Sequence, residues 1–249
     1  MTSTLAVDLP SPARVGGLLA AARPLPAGWE RGVQFNGSTC LPPAPWPYCP
    51  ADESPGPEPK QANAPSSVAV FEPTGIFQAV ECTTKSRERA GELASEALAA
   101  TADFQLGFEL ANGAVTGNPS FADATTTTAP DVLTALADLE SGIASGLYGR
   151  LAFIHVSPGM LVYLTDACRG VHRDGRAWRS PMGNLIVASP GYVDLGSTLV
   201  ATGEVYAETS VPETRVDIDR AVNQTVAYGE QVGLAAFDPC FNIAVEVTS

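Results

Sequence analysis

The stretch "TVAYGEQVGLAAFDPCFNIAVEVTS", residues 225–249, decides how the chain is read. Phe241, Ile243, Val245 and Val247 alternate with Asn242, Ala244 and Glu246. A period of two is the signature of a strand with one buried face. A second apolar run, Val232 to Phe237, lies just upstream, and Asp238-Pro239 separates the two. A strand this late must close against something earlier, and the rest of the chain is read for its partner.

With 249 residues, 45% of them hydrophobic, the chain can bury a sizeable core as one large domain or two small ones. No run approaches the length of a membrane span. The apolar patch Val15 to Ala22 follows Asp8 and lacks a basic start, so a secretory signal is not expected. The five cysteines, Cys40, Cys49, Cys82, Cys168 and Cys240, are odd in number and scattered, which favours free thiols in a reducing compartment over a Cys40–Cys49 bridge. A net charge of −13 repels nucleic acid at long range and argues against a sequence-reading DNA binder.

Residues 1–30 are rich in proline and alanine. Residues 36–66 hold Pro42, Pro43, Pro45, Pro47, Pro50, Pro55, Pro57, Pro59 and Pro65, a density that blocks helix and central strand alike. The stretch also carries Trp46 and Tyr48, with Trp29 and Phe35 upstream. Pure linkers rarely keep large aromatics, so an arm that orders against another chain is expected, with a plain surface loop as the other reading. Phe71 to Cys82 reads as a strand. Ser86 to Ala111 reads as the longest helix, with Leu93, Ala97, Ala100, Phe104, Phe108 and Ala111 as its apolar stripe. Asn112-Gly113 can end it. Gly91 and Gly107 each cost such a helix about 1 kcal/mol, so packing must hold it.

A second helix is predicted over Pro130–Ser145 and a buried strand over Leu151–Val156. Ser157-Pro158 opens a helix to Cys168, and Asp174-Gly175 marks a hairpin. Short strands follow at 185–189 and 198–202. No phosphate-binding glycine motif is present, and His155 and His172 lack metal-ligand spacing. No metal, cofactor or catalytic residue is therefore assigned. Ser157 with His155 or His172 gives the one enzymatic alternative, a small α/β hydrolase. Ser157 reads better as a helix cap, and His155 as a core histidine. In "CRGVHRDGRAWRS" (168–180), Arg169, Arg173, Arg176 and Arg179 gather on an acidic chain. A contact loop for a neighbour's acidic groups and a solvated hairpin are both open readings.

The order of elements, with "GRLAFIHVSPGMLVYL" (149–164), "SPMGNLIVASPGY" (180–192) and "VDIDRAVNQTVAYGEQVGLAAFDPCFNIAVEV" (216–247), resembles the major capsid proteins of tailed bacteriophages, whose fold encapsulins share. The likeness covers roughly residues 70–249. It implies an α+β capsid fold: an N-terminal arm (1–30), an extended Pro-rich loop region (31–84), a peripheral domain (85–128 and 205–249) with a long spine helix, and an axial α/β domain (129–204). The late strand would then close the peripheral sheet, pairing near Val216–Val226.

The implied function is structural, not enzymatic: a subunit of an icosahedral head shell of a tailed phage or prophage. An encapsulin-like compartment, or a minor capsid or pentamer protein of the same fold, is the alternative. Implied partners are further copies in pentamers and hexamers, other capsid, portal or decoration proteins, and enclosed double-stranded DNA, with no membrane. The implied location is the virion capsid, assembled in the host cytoplasm. Expected assembly contacts are Trp29, Trp46, Tyr48, Arg87, Arg89, Arg169, Arg173, Arg176 and Arg179. Some relatives join subunits through a lysine–asparagine bond, and Lys60 with Asn223 is the imaginable pair. Lys60 sits among Glu58, Pro59 and Gln61, which offer no desolvation to free its amine, so no crosslink is expected.

Overall fold

A computed structural model describes residues 17–36, 68–83, 87–168, 170–175, 177–219 and 224–248. The short helix α1 (Leu18–Ala21) leads into strand β1 (Val33–Asn36), and β2 (Val68–Phe71) precedes β3 (Thr74–Thr83) and the long helix α2 (Arg87–Asn112). Strand β4 (Thr125–Ala129), helix α3 (Val132–Gly146), strand β5 (Phe153–His155) and helix α4 (Pro158–Ala167) follow. The hairpin β6 (His172–Asp174) and β7 (Ala177–Arg179) leads to β8 (Leu185–Val187) and β9 (Thr198–Thr202). The chain closes with β10 (Val205–Thr209), β11 (Glu213–Asp219), β12 (Gln224–Phe237) and β13 (Asn242–Val247).

Among the described residues these strands form three sheets. β1 and β2 make a two-stranded antiparallel stem. β12 is the centre of a four-stranded sheet, with β3 along one side and β10 and β11 along the other. The third sheet runs β4-β13-β9-β5-β8-β7-β6. The expected pairing of the last strand is thus corrected. β13 lies between β4 and β9 in the seven-stranded sheet, and β12 closes the four-stranded sheet under α2. The β-period shows that a face is buried but not which sheet buries it. In β13 both faces are covered: Ala244 joins the core beside α2, while Val245 joins the core beneath α3.

The two larger sheets share one ribbon. β10 pairs antiparallel with β12, and β9 pairs antiparallel with β13, so both strands of a single pair cross from one sheet into the other. The ribbon bends where β9 passes to β10 at Gly203-Glu204 and β12 passes to β13 at Asp238-Pro239. Gly203 donates its N–H to Phe241 (3.2 Å), and Asp238 donates to Glu204 (2.8 Å). A Cβ on Gly203 would lie 2.9 Å from the Asp238 Cβ, so the bend needs glycine there. Asp238 Oδ1 then accepts the Cys240 N–H (3.1 Å) and closes the turn. Cys240 is disulfide-bonded and Cys168 is free, which corrects the expectation of free thiols throughout; the Cys240 partner lies outside the described side chains.

Helix α2 begins and ends where the sequence places it, with Gly113 at φ +59° just beyond its end. Of the stripe expected from the sequence, Ala111 is buried, but the main buried stripe is another one. Ala90, Ala94, Leu98, Leu106 and Leu110 face the sheet, while Phe104 remains 36% exposed. The reason is the small residues beneath. A Cβ on Gly229 of β12 would touch the Ala94 carbonyl at 3.0 Å, so the helix rests on backbone and its alanine side wins the close contact. A 3₁₀ turn at Pro190–Leu195 grips the other side. A Cβ on Gly191 would lie 2.2 Å from the Phe104 carbonyl, and one on Gly107 would lie 2.2 Å from Ser189 Oγ. Gly107 therefore trades helix propensity for this approach.

At the junction of the two units His155 is wholly buried between aromatic rings, 4.3 Å from the centroid of Phe121. Its Nδ1 meets Tyr192 Oη at 3.0 Å and its Nε2 meets Thr202 Oγ1 at 2.9 Å. Thr202 directs its only hydroxyl proton to the Gly203 carbonyl (3.1 Å). The Thr202 oxygen therefore accepts from Nε2–H, and Nδ1 accepts from the Tyr192 hydroxyl. Burial lowers the imidazole pKa to about 3 and raises that of Tyr192, where the Asp103 charge adds to the effect.

Two outcomes follow. Gly191→Ala should destabilise the folded chain by about 2 kcal/mol or more through overpacking against α2, read as a drop in urea midpoint. For His155 the folded pKa lies below the unfolded value, so the unfolded state binds the extra proton between about pH 6.5 and 3. Its contribution to stability is complete above pH 6.5 and falls by up to about 1.4 kcal/mol per pH unit as pH drops through that window. In His155→Phe the acid limb should flatten. Stability at pH 7 should fall by about 1–3 kcal/mol, because the Tyr192 hydroxyl loses its partner.

Candidate assembly surfaces

The residues expected at contacts fall into four groups. Trp46, Tyr48, Arg169 and Arg176 lie outside the described residues, as do Lys60 and Asn223. Trp29 is buried in the chain's own core, in a 3₁₀ turn before β1, and is corrected from contact to core residue. Its neighbours in that core include Leu18, Leu25 and Phe71. Arg87 and Arg89 open α2, and Arg89 is exposed.

The arginine hairpin forms as read, at the end of the seven-stranded sheet with Gly175 at φ +61° in its turn. Its charges are partly answered from within. Arg179 Nε meets Asp174 Oδ2 at 2.7 Å, and its Nη1 donates to the Gly183 carbonyl at 2.8 Å. Arg173 Nε donates to the Gly175 carbonyl at 3.0 Å, leaving an exposed side chain at the tip. His172 is exposed on the same hairpin, with Nδ1 3.0 Å from the Gly170 carbonyl.

Ser157 and His155 form no catalytic pair. Ser157 Oγ donates to the Gly196 carbonyl (2.7 Å) and accepts the Met160 N–H (3.2 Å) as the cap of α4. Both nitrogens of His155 are engaged in the core, and His172 belongs to the distant hairpin. These partners give Ser157 and His155 structural roles.

One surface was not visible in the sequence. Helix α2 covers one face of the four-stranded sheet, and the register sets the other face outward. On it Phe77 pairs with Glu230, Glu230 also pairs with Glu213, and Val232 pairs with Gly75. Phe77 is 69% exposed, and with Val211 and Val232 it lines a groove of about 600 Å³. Glu213 and Glu230 are direct cross-strand neighbours of like charge, an arrangement that costs stability in an isolated sheet. The pairing signal lies in residues distant along the chain, so no local period reveals it. A second cleft, about 410 Å³, lies by the ribbon's bend among Arg23, Phe35, Arg150, Glu204, Tyr206 and Asp238. There Arg23 pairs with Glu204 at 2.7 Å, and Tyr206 donates to the same carboxylate. Burial and that carboxylate push the Tyr206 pKa up to about 12. These bonds tie the amino-terminal segment to β10.

No family model matches the chain, and no curated protein matches its sequence. Solved structures do match. A chain of Gordonia phage Cozz aligns with TM-score 0.61 at 11% identity, covering 100% of this chain and 92% of that one. The capsid of an empty GTA particle aligns with TM-score 0.60 at 10% identity, covering 100% and 94%. The holo-SrpI encapsulin of Synechococcus elongatus aligns with TM-score 0.52 at 11% identity, covering 72% and 75%. The chain has the α+β fold that tailed-phage capsid proteins and encapsulins share.

Proposed function

We propose that this protein is a structural subunit of an icosahedral capsid, the head shell of a tailed phage or prophage. The observation that carries the reading is the alignment of the whole chain with the GTA capsid, with 94% of that subunit covered in return. The encapsulin alignment leaves over a quarter of this chain unmatched, which favours the phage-type reading over the compartment alternative. In this reading α2 and the four-stranded sheet form the peripheral domain. The seven-stranded sheet with α3 and α4, now including β13, forms the axial domain. The β1–β2 stem is the root of the extended loop, residues 37–67, and residues before α1 form the arm.

Such a subunit acts through geometry. Heterologous contacts close into pentamers and hexamers and then into a shell, and many weak contacts per subunit add through multivalency. The partners are further copies, with other capsid, portal or decoration proteins. Enclosed double-stranded DNA is held without sequence-specific contacts, consistent with a chain of charge −13. The location is the virion capsid, after assembly in the host cytoplasm. The contact surfaces are the outward face around Phe77, the hairpin at Arg173, the amino end of α2 at Arg87 and Arg89, and the loop carrying Trp46 and Tyr48.

Negative-stain microscopy and size exclusion of the purified protein test this reading. Closed particles in the megadalton range are expected, and a monomer or small oligomer at every concentration speaks against it. Boiling the particles in detergent with reductant should release one band near 25.8 kDa; a surviving ladder that vanishes in Lys60→Ala would reverse the no-crosslink expectation. Phe77→Glu, on an exposed position, should leave the subunit folded and cut particle yield at least tenfold, because it adds a third charge beside Glu213 and Glu230. Arg173→Glu should weaken assembly most at low salt, since such pairs are screened within about 3 Å at 1 M salt.

A further inference from the structure

We infer that Tyr148, at the exposed corner after α3, inserts into the cleft by the ribbon's bend of a second copy of the chain, which receives the second copy's Tyr148 in its own cleft in exchange. The inference rests on the shell-subunit reading for the presence of that second copy. It adds a two-fold contact to the heterologous ones.

Among the described residues Tyr148 is the one non-glycine residue with a left-handed backbone, at φ +53°. Helix α3 ends at Gly146 and Leu147 caps it, so Tyr148 holds the place where helices commonly turn left-handed on glycine. A bulky side chain in that conformation is an outlier. Glycine stands nearby at 146 and 149, yet this position carries tyrosine. The ring serves nothing in its own fold. It is 45% exposed, it belongs to neither large core, and among the described residues it has no hydrogen-bond partner. Backbone strain of this kind concentrates where a side chain has a task, and tyrosine is a preferred anchor in protein contacts.

A receptor for the ring lies on the same corner of the chain. Leu147 and Leu151, on either side of Tyr148 in sequence, line the 410 Å³ cleft. Phe35 and Tyr206 give it an aromatic lining, with ring centroids 5.7 Å apart. Its volume falls within the range of about 300–1,000 Å³ that holds small organic molecules, ample for one phenol ring. Leu151 leaves 59% of its surface in water beside the opening. The carboxylates of Glu204 and Asp238 line the same cleft and offer acceptors to an incoming phenol hydroxyl.

Charge selects the occupant. At −13 per chain, two copies repel each other over most of their surface. The charged residues of the cleft are Arg23, Arg150, Glu204 and Asp238, which sum to zero, and Arg23 already pairs with Glu204 at 2.7 Å. Residues 146–149 carry no charge at all. This corner is therefore a neutral patch on an acidic chain, and a like copy approaches it without repulsion. Ring and cleft lie side by side on one surface. That arrangement suits a two-fold contact, in which the same patch serves both partners and each ring fills the other's cleft. The outward face around Phe77 is unsuited to such self-pairing, because it would bring Glu213 and Glu230 toward the same carboxylates.

Photo-crosslinking of the full chain supplies the test. Tyr148 is replaced by p-benzoylphenylalanine, and isotopically heavy and light copies are mixed before assembly. Illumination should join heavy to light copies, with the adduct on Phe35, Leu147, Leu151 or Tyr206. Adducts confined to a single copy, adducts elsewhere on the chain, or no adduct in assembled material overturn the inference. Size exclusion of the same sample separates this from the shell reading: particles without cleft adducts overturn the two-fold contact alone, whereas copies that never associate overturn both. Two further variants read the strain. Tyr148→Gly should raise the urea midpoint of the dissociated subunit while cutting particle yield about tenfold or more. Tyr148→Phe keeps the ring and should hold the yield within about twofold. A lower midpoint in Tyr148→Gly would show that the ring serves its own fold, and an unchanged yield would show that no contact needs it; either result overturns the inference.

Discussion

The bent antiparallel ribbon of β9–β10 against β12–β13 is the constraint on which the rest of the structure depends. Both strands pass from the four-stranded into the seven-stranded sheet at the same level, and the hydrogen bonds of Gly203 and Asp238 continue the pairing across the bend. A single crossing strand would leave a hinge. Two paired strands resist twisting and shear, because movement of one unit would break bonds on both sides of the turn. The aromatic cluster of Phe71, Phe121, Tyr192 and Phe237 sits against this corner, with edge-on and tilted ring contacts of 5.4 to 5.9 Å. His155 fills the same corner with both nitrogens bonded. Polar groups in such a core add direction to packing, since each bond is met in one arrangement only.

Helix α2 is positioned by two buried acids as much as by its apolar side. Asp103 holds the start of α1 and the 3₁₀ turn at Ser189. Glu109, 4% exposed, accepts the N–H groups of Val115 and Thr116 and so shapes the loop that follows the helix. Removing either carboxylate would leave part-buried backbone donors without their side-chain acceptor. The glycines at 107, 191 and 229 complete the arrangement by allowing backbone contact on two sides.

Much of this was legible along the chain. Capping and turn chemistry are local, so Ser157 at α4, Gly113 after α2 and the hairpin around Gly175 were readable directly. The arginines of that hairpin were visible too, but not that Asp174 and the Gly183 carbonyl answer Arg179. Phe104 and Phe108 outweigh alanines in any hydrophobic pattern, so the period of α2 points to its outer stripe. The close approach of Gly229 reversed that ranking, and it comes from a residue more than a hundred positions away. Trp29 looked like a contact residue for the same reason: its core partners Leu18 and Phe71 are not its sequence neighbours. The outward pairing of Glu213 with Glu230 has no local trace either.

By itself the sequence determined the elements, because helix caps, glycine and proline breaks and side-chain periods act within a few residues. It also determined the α+β class and the likeness to tailed-phage capsid proteins, through the order of those elements. Only the tertiary structure decided which sheet receives β13, which face of α2 is buried and where the like charges meet. Those outcomes depend on strand register and on backbone approach at glycines, and both are set by residues far apart in the chain that meet only when the ribbon bends.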